Sequence, residues 1–261
     1  MELEDVESKA SNGRPKLLGM IRLAGLLRDL VYPPGCSGCG IRTARQGGLC
    51  VACWCSVRFI DRPYCEVLGL PFSYDPGSGM VCAEAIAHPP VFDRLRSVAV
   101  HEGVARDLVH GLKYSDRTDL APMMAGWMLR AGQAEIAACD AILAVPLHPF
   151  RLIQRKFNQS AELGRHLARQ AGKPFLPATL LRVKRTAQQV GLSANAREDN
   201  VRGAFRVAER RQSDVFGRRL VLVDDVYTTG ATVTAATRTL KRAGAADVTV
   251  LTFARAIAGP I

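Results

Sequence analysis

One stretch constrains this chain more than any other: Val221-Leu222-Val223-Asp224-Asp225-Val226-Tyr227-Thr228-Thr229-Gly230-Ala231-Thr232. Three apolar β-formers run directly into two carboxylates. A Thr/Gly-rich turn follows, and an Ala/Thr/Leu pattern from Val233 to Arg242 has helical spacing. A continuous apolar run reads as a strand buried on both faces. In α/β proteins the carboxyl ends of such strands are where ligands bind. The turn leaves free N–H groups at a helix N-terminus, Gly230 lets the backbone approach closely, and the Thr hydroxyls add donors. Together they form a seat for a phosphate. A phosphate seat beside two acids suits a ligand carrying both phosphate and sugar hydroxyls, or Mg²⁺. The Mg²⁺ arm of a P-loop NTPase is excluded, because no G-x-x-x-x-G-K-[ST] occurs, and no G-x-G-x-x-G follows any strand. A helix cap alone needs one Asp, not two.

Strands and helices alternate around this stretch beyond Pro89-Pro90. Ser97 to Val100 reads as a strand. A helix carries Val104, Leu108 and Leu112 on one face and ends near Lys113-Tyr114, and a second runs from Leu120 to Ala131. Ala141 to Val145 is a strand stopped by Pro146. Asn158 is a good N-cap for a helix with Leu163, Gly164, Leu167 and Ala168 facing inward. Leu180 to Val183 and Ala204 to Val207 read as short strands joined by a polar, mobile loop, and Val248 to Phe253 closes the pattern. The expectation is an α/β domain over residues 91–261 with a doubly wound parallel sheet.

The segment after the Ala141–Val145 strand is Val145-Pro146-Leu147-His148-Pro149, followed by a basic loop with Arg151, Arg155 and Lys156, then Asn158-Gln159-Ser160 at a helix start. Cations at a strand's carboxyl end beside a helix N-terminus suit a second anion. His148 either bonds that anion or merely occupies a turn set by two prolines. The charge distribution agrees. Residues 151–219 hold 16 Lys/Arg against 5 Asp/Glu, which accounts for the whole net charge of +11. Such a stripe points to a phosphorylated substrate or a nucleic acid, or to a solvated surface that aids solubility.

The N-terminal third reads differently. Residues 1–15 are polar and read as a disordered tail. Residues 16–35 hold an amphipathic helix, with Leu17, Ile21, Ala24 and Arg28 on one face, that Pro33-Pro34 ends. The acidic start (Glu2, Glu4, Asp5, Glu7) is unlike a secretory or transit signal, and no apolar run is long enough to span a bilayer, so a cytoplasmic protein is expected. Residues 36–90 form a metal-binding module and linker. Cys36, Cys39, Cys50 and Cys53 have the spacing C-x₂-C-x₁₀-C-x₂-C, two knuckles that supply the four sulfurs of structural Zn²⁺. An iron–sulfur cluster or free thiols are the alternatives. Cys55 lies beside the knuckle. Cys65 and Cys82 stand apart, each followed three residues on by an apolar residue, Leu68 and Ala85, and two sulfurs alone do not make a stable zinc site. Cys139 reads as a small core hydrophobe.

The Val221–Thr232 segment closely resembles the PRPP-binding loop of type I phosphoribosyltransferases. With the zinc knuckles, Leu112-Lys113-Tyr114, Arg155-Lys156-Phe157-Asn158-Gln159 and the long pattern Thr186-x-x-Gln189-x-x-Leu192-x₄-Arg197-x-x-Asn200-Val201-x-Gly203-Ala204-Phe205, the chain is identified as resembling the ComF family from about Leu26 to Phe253. The resemblance implies a type I phosphoribosyltransferase-like fold with an N-terminal Cys₄ zinc ribbon, linked to competence and DNA uptake. It implies that Asp224 and Asp225 hold the ribose hydroxyls, that Tyr227 and Thr228 to Thr232 (with Gly230 and Ala231) wrap the 5′-phosphate, and that His148, Arg151, Arg155, Lys156, Asn158 and Gln159 serve the pyrophosphate. Thr186, Gln189, Arg197 and Asn200 would fall on a loop that closes over the ligand. The implied cofactors are structural Zn and Mg with PRPP. Single-stranded DNA, a DNA-processing partner or a second copy of the chain are the partners left open. Two departures stand out: Lys156 replaces the Gly of the usual Arg-Gly-Phe-Asn-Gln, and Leu68 and Ala85 occupy two of four positions of a second Cys set.

Overall fold

The structure is a computed structural model and describes residues 33–44, 46–114, 117–184 and 202–257. The expected tail and amphipathic helix, and Thr186, Gln189, Arg197 and Asn200, lie outside the described residues. The strands are β1 (Arg94–Val100), β2 (Ala141–Ala144), β3 (Leu180–Arg182), β4 (Phe205–Val207), β5 (Arg219–Tyr227) and β6 (Asp247–Arg255). The helices are α1 (Val51–Cys55), α2 (Ala83–Ala87), α3 (Gly103–Tyr114), α4 (Ala121–Ala131), α5 (Gln133–Ala138), α6 (Pro149–Arg155), α7 (Gln159–Ala171) and α8 (Ala231–Arg242).

The expected parallel sheet is present, in the order β1-β6-β5-β2. β5 is buried on both faces because its residues alternate between two cores. Val221 and Val223, with Leu251 and Phe253 of β6, face Leu108 and Leu112 of α3, Met124 and Met128 of α4, and Leu163 and Leu167 of α7. Leu220 and Leu222, with Val248 and Val250, face Val233, Ala236 and Leu240 of α8. A one-residue slip would exchange these sets, so the register Leu222↔Val250 and Leu143↔Leu222 is strongly specified. That register places the carboxyl ends of β2 and β5 side by side.

The antiparallel pair β3–β4 lies apart from the main sheet and packs through Leu180, Phe205 and Val207 on the α8 side. The edge of β1 is covered by the N-terminal module: Ile60 N–H donates to Val98 O (2.9 Å) and Val100 N–H to Arg58 O (2.9 Å). Trp54 and Phe59 of that module lie against Trp127 of α4, and Trp127 stacks on Phe253, so an aromatic column ties α1 to the sheet.

One local expectation is corrected. The segment after Pro149, read as a basic loop, is the short helix α6, with Pro149 at its first position and the Nδ1 of His148 accepting the Phe150 N–H (3.3 Å). It ends at Lys156, whose φ of 62° is left-handed. Glycine adopts that conformation freely, and another residue holds it at a cost of about 1 kcal/mol.

Candidate ligand cleft and zinc centre

A cleft of about 430 Å³ opens at the carboxyl ends of β5 and β2. Asp224 and Asp225 sit on its floor because β5 runs to Tyr227 before turning. Asp224 Oδ1 accepts from the Ser160 hydroxyl (2.7 Å) and from the Asp225 N–H (3.0 Å). Ser160 is at the start of α7, whose N-terminal dipole favours that carboxylate. Burial, reinforced by the neighbouring charge of Asp225, pushes the Asp224 carboxyl up to about 7. Asp225 is buried and its Oδ2 pairs with Lys113 Nζ at 2.9 Å.

Tyr227 to Thr232 line the next wall. Gly230 caps α8 with φ 76°, and a Cβ there would lie 2.5 Å from the Tyr227 hydroxyl, so both conformation and space require glycine. The first turn of α8, with its N-terminal dipole, therefore lies at the cleft wall. Tyr227 is itself held by the Arg255 guanidinium over its ring (5.3 Å) and by the edge of Phe92.

Four cations also line the cleft. Arg151 and Arg155 come from α6, Arg182 from β3 and Lys113 from the end of α3. Burial, with the charge of Arg151, pushes Arg182 down to about 10, so it stays protonated at neutral pH. Arg155 lies over the Tyr114 ring (5.3 Å) and donates to Gln159 Oε1 (3.4 Å). Gln159 is 2% exposed, and its Nε2 has no hydrogen-bond partner among the described residues. A buried amide without an acceptor is costly unless a ligand supplies one. His101, lowered by burial and then by Lys113, and His110 complete this wall.

Asp224, Asp225, the Tyr227–Thr232 loop, Arg151, Arg155 and Gln159 thus converge as the sequence suggested. His148, Lys156 and Asn158 do not line the cleft. His148 caps α6. Lys156 ends it. Asn158 caps α7, accepting from Ser160 N–H (3.1 Å) and Ala161 N–H (3.4 Å), while its Nδ2 donates to Val145 O (3.0 Å). Lys113 and Tyr114, marked in the sequence only as part of the Leu112-Lys113-Tyr114 motif, and Ser160, marked only as part of a helix start, also line the cleft, as do His101, His110 and Arg182, which no motif marks.

In the N-terminal module the sulfurs of Cys36, Cys39, Cys50 and Cys53 all lie within 4.8 Å of one another, with Cys39 and Cys50 at 3.7 Å. A tetrahedral Zn–S₄ centre with bonds of about 2.3 Å needs sulfurs about 3.8 Å apart, so the quartet fits the metal. The Cys36 sulfur accepts N–H groups of Cys50 (3.2 Å) and Gly38 (3.4 Å). Although burial opposes it, the backbone N–H groups of Cys39, Cys50 and Gly38 hold Cys36 down to about 6, while burial and the adjacent thiols push Cys53 up to about 12. Four thiols so placed cannot all ionise without a cation, which is what a divalent metal provides. Cys55 is exposed and outside the quartet.

The fold and cleft define a phosphoribosyltransferase-fold protein carrying an N-terminal zinc ribbon. The double zinc ribbon domain family matches residues 27–86 and the phosphoribosyl transferase domain family matches residues 158–260. DNA utilization protein YhgH of Escherichia coli (strain K12) is 34% identical over 215 residues, covering 80% of this chain and 91% of that protein. Competence protein F of Haemophilus influenzae is 29% identical over 216 residues, 81% of this chain and 92% of that one. The chain belongs to the ComF family. Among solved structures, glutamine phosphoribosylpyrophosphate amidotransferase from B. subtilis matches at 24% identity with a TM-score of 0.37, over 54% of this chain and only 30% of that longer one. No helix among the described residues is long and apolar enough to cross a membrane.

Proposed function

We propose that the cleft binds PRPP or a closely related phosphorylated ribose, and that the chain transfers the phosphoribosyl group to an acceptor. The observation that carries this reading is the pairing of two carboxylates on the end of β5 with the N-terminus of α8 lining the same cleft immediately behind them. Asp224 and Asp225 accept from ribose hydroxyls. The amides and hydroxyls of Thr228 to Thr232 take the 5′-phosphate, and the Gln159 amide supplies a donor that has no other partner among the described residues. Arg151, Arg155 and Arg182 face the pyrophosphate, whose departure from C1 leaves an oxocarbenium-like centre. The protein acts by positioning and charge stabilisation. Asp224 and Asp225 are the hard oxygen donors that Mg²⁺ takes, and a pyrophosphate would bring the rest of its ligands. Incubation with Mg²⁺, PRPP and a panel of nucleobases should release pyrophosphate faster than the Asp224→Asn/Asp225→Asn variant does. Equal rates with every base would refute transfer.

A second reading has support in the names of the relatives, a DNA utilization protein and a competence protein. In it, the zinc ribbon and basic stripe bind single-stranded DNA or a DNA-processing partner in the cytoplasm, and the ribose site senses or is a relic. Affinity for an oligonucleotide should then fall steeply with salt. A flat salt dependence would remove this reading.

A further inference from the structure

The N-terminal module contains the same knuckle twice. In the first, Cys36 N–H donates to Ile41 O (2.7 Å) and Gly40 N–H to Cys36 O (2.9 Å). In the second, Cys65 N–H donates to Leu70 O (2.8 Å) and Gly69 N–H to Cys65 O (2.8 Å), with the same offsets. Gly40 and Gly69 are both left-handed, at φ 76° and 59°. Antiparallel bridges flank each turn, Gly35↔Arg42 and Tyr64↔Pro71. Cys50 N–H donates to the Cys36 sulfur, and Cys82 N–H to the Cys65 sulfur, both at 3.2 Å. A short helix starts directly after each of these donors, α1 after Cys50 and α2 after Cys82. The frame of a zinc ribbon is therefore present in both halves.

The ligands are not. Leu68 and Ala85 stand where Cys39 and Cys53 stand in the first half. We propose that the second ribbon is metal-free in this chain, closed by packing of Leu68 and Ala85 in place of two thiolates, and that the protein binds a single zinc. Leu68, Ala85 and Cys65 are all buried and share one apolar cluster with Phe92 and Leu95 next to the sheet. Among the described residues no third Cys, His, Asp or Glu is placed to join Cys65 and Cys82 around an ion, and two thiolates do not hold structural zinc.

The difference in location explains the difference in metal. The first ribbon is peripheral: it reaches the core through Trp54 of α1, but Cys39 and most of its knuckle are exposed, so the metal rather than apolar packing closes the knuckle. The second lies directly on β1. Leu95 N–H donates to Val67 O (2.8 Å), Arg96 Nη1 to Glu66 O (2.9 Å), and the Leu68 carbonyl accepts from the Arg255 guanidinium. With the sheet as its core, the knuckle no longer depends on an ion. Its sulfurs remain as acceptors for backbone N–H groups.

The test is the zinc content of the purified, reduced full-length chain, measured by mass spectrometry of the metal. One zinc per chain is expected for the wild type and for Cys65→Ala, and close to none for Cys36→Ser. The Leu68→Cys/Ala85→Cys double variant should carry two. Two zincs in the wild type, or loss of the zinc in Cys65→Ala, would overturn the proposal. So would a folded double variant that gains none, since the frame would then not be that of a ribbon lacking only its ligands.

Discussion

Asp224→Asn should move stability and ligand binding in opposite directions. The carboxyl is raised from 3.8 to about 7 by burial and by the charge of Asp225. At about 1.4 kcal/mol per unit, holding it ionised costs the folded chain at most about 4 kcal/mol. Because Asp224 keeps some contact with solvent, and Asn can still accept from Ser160, a gain of about 1–3 kcal/mol is the reasonable expectation. The sign follows from the raised pKa. Between about pH 4 and pH 7 the folded state holds a proton that the unfolded state has released, so wild-type stability falls as pH rises through that window. The penalty is complete above pH 7 and absent near pH 4. With Tm moving about 2–4 °C per kcal/mol for a protein of this size, the variant should melt roughly 3–10 °C higher at pH 8 and no higher at pH 4. The same variant loses a charged acceptor worth about 1.5–3 kcal/mol, so PRPP should bind roughly 10- to 100-fold more weakly. Calorimetric melting across pH, with a PRPP titration at pH 8, reads both. A variant no more stable than wild type at pH 8, or stabilised equally at all pH values, would refute the electrostatic account of the floor of the cleft.

Other expectations follow from the same geometry. Gly230→Ala forces a Cβ to 2.5 Å from the Tyr227 hydroxyl at a left-handed φ, and should weaken PRPP binding at least about tenfold while costing only ~1–2 kcal/mol in denaturant titration. Lys113→Met leaves Asp225 buried without its cation and should destabilise by about 1–3 kcal/mol, measured by the urea midpoint. Removal of zinc by a strong chelator should loosen α1, and because both tryptophans, Trp54 and Trp127, lie in the column joining α1 to α4, their fluorescence should change as the metal leaves.

The elements that could be read from the chain were those whose signal is local. The β5–turn–α8 unit declares itself through an apolar run, two acids and Thr-Thr-Gly-Ala-Thr. Asn158 announces α7 because capping is decided within three residues. The zinc quartet is legible because ligand spacing dictates its geometry. What escaped is what tertiary packing assembles. Lys113 meets Asp225 only because α3 ends above β5, and Arg182 reaches the cleft on β3, far in sequence from either loop. The helix α6 was hidden by its cations and by Pro149, which starts it rather than breaking it. His148 and Asn158 have side chains that suit an anion, but backbone N–H groups at helix starts claim them first. The equivalence of the two knuckles is likewise a matter of backbone hydrogen bonds, which cysteine spacing alone understates once two of the cysteines are gone.

The proposed ligand is a ribose gripped by the twin acids of β5, with its phosphate in the turn behind them. Isothermal titration of the full chain with PRPP in Mg²⁺ tests this most directly. Saturable one-to-one binding is expected, lost in Asp224→Asn/Asp225→Asn while that variant stays folded. No heat with the wild type, or undiminished binding by the variant, would contradict it.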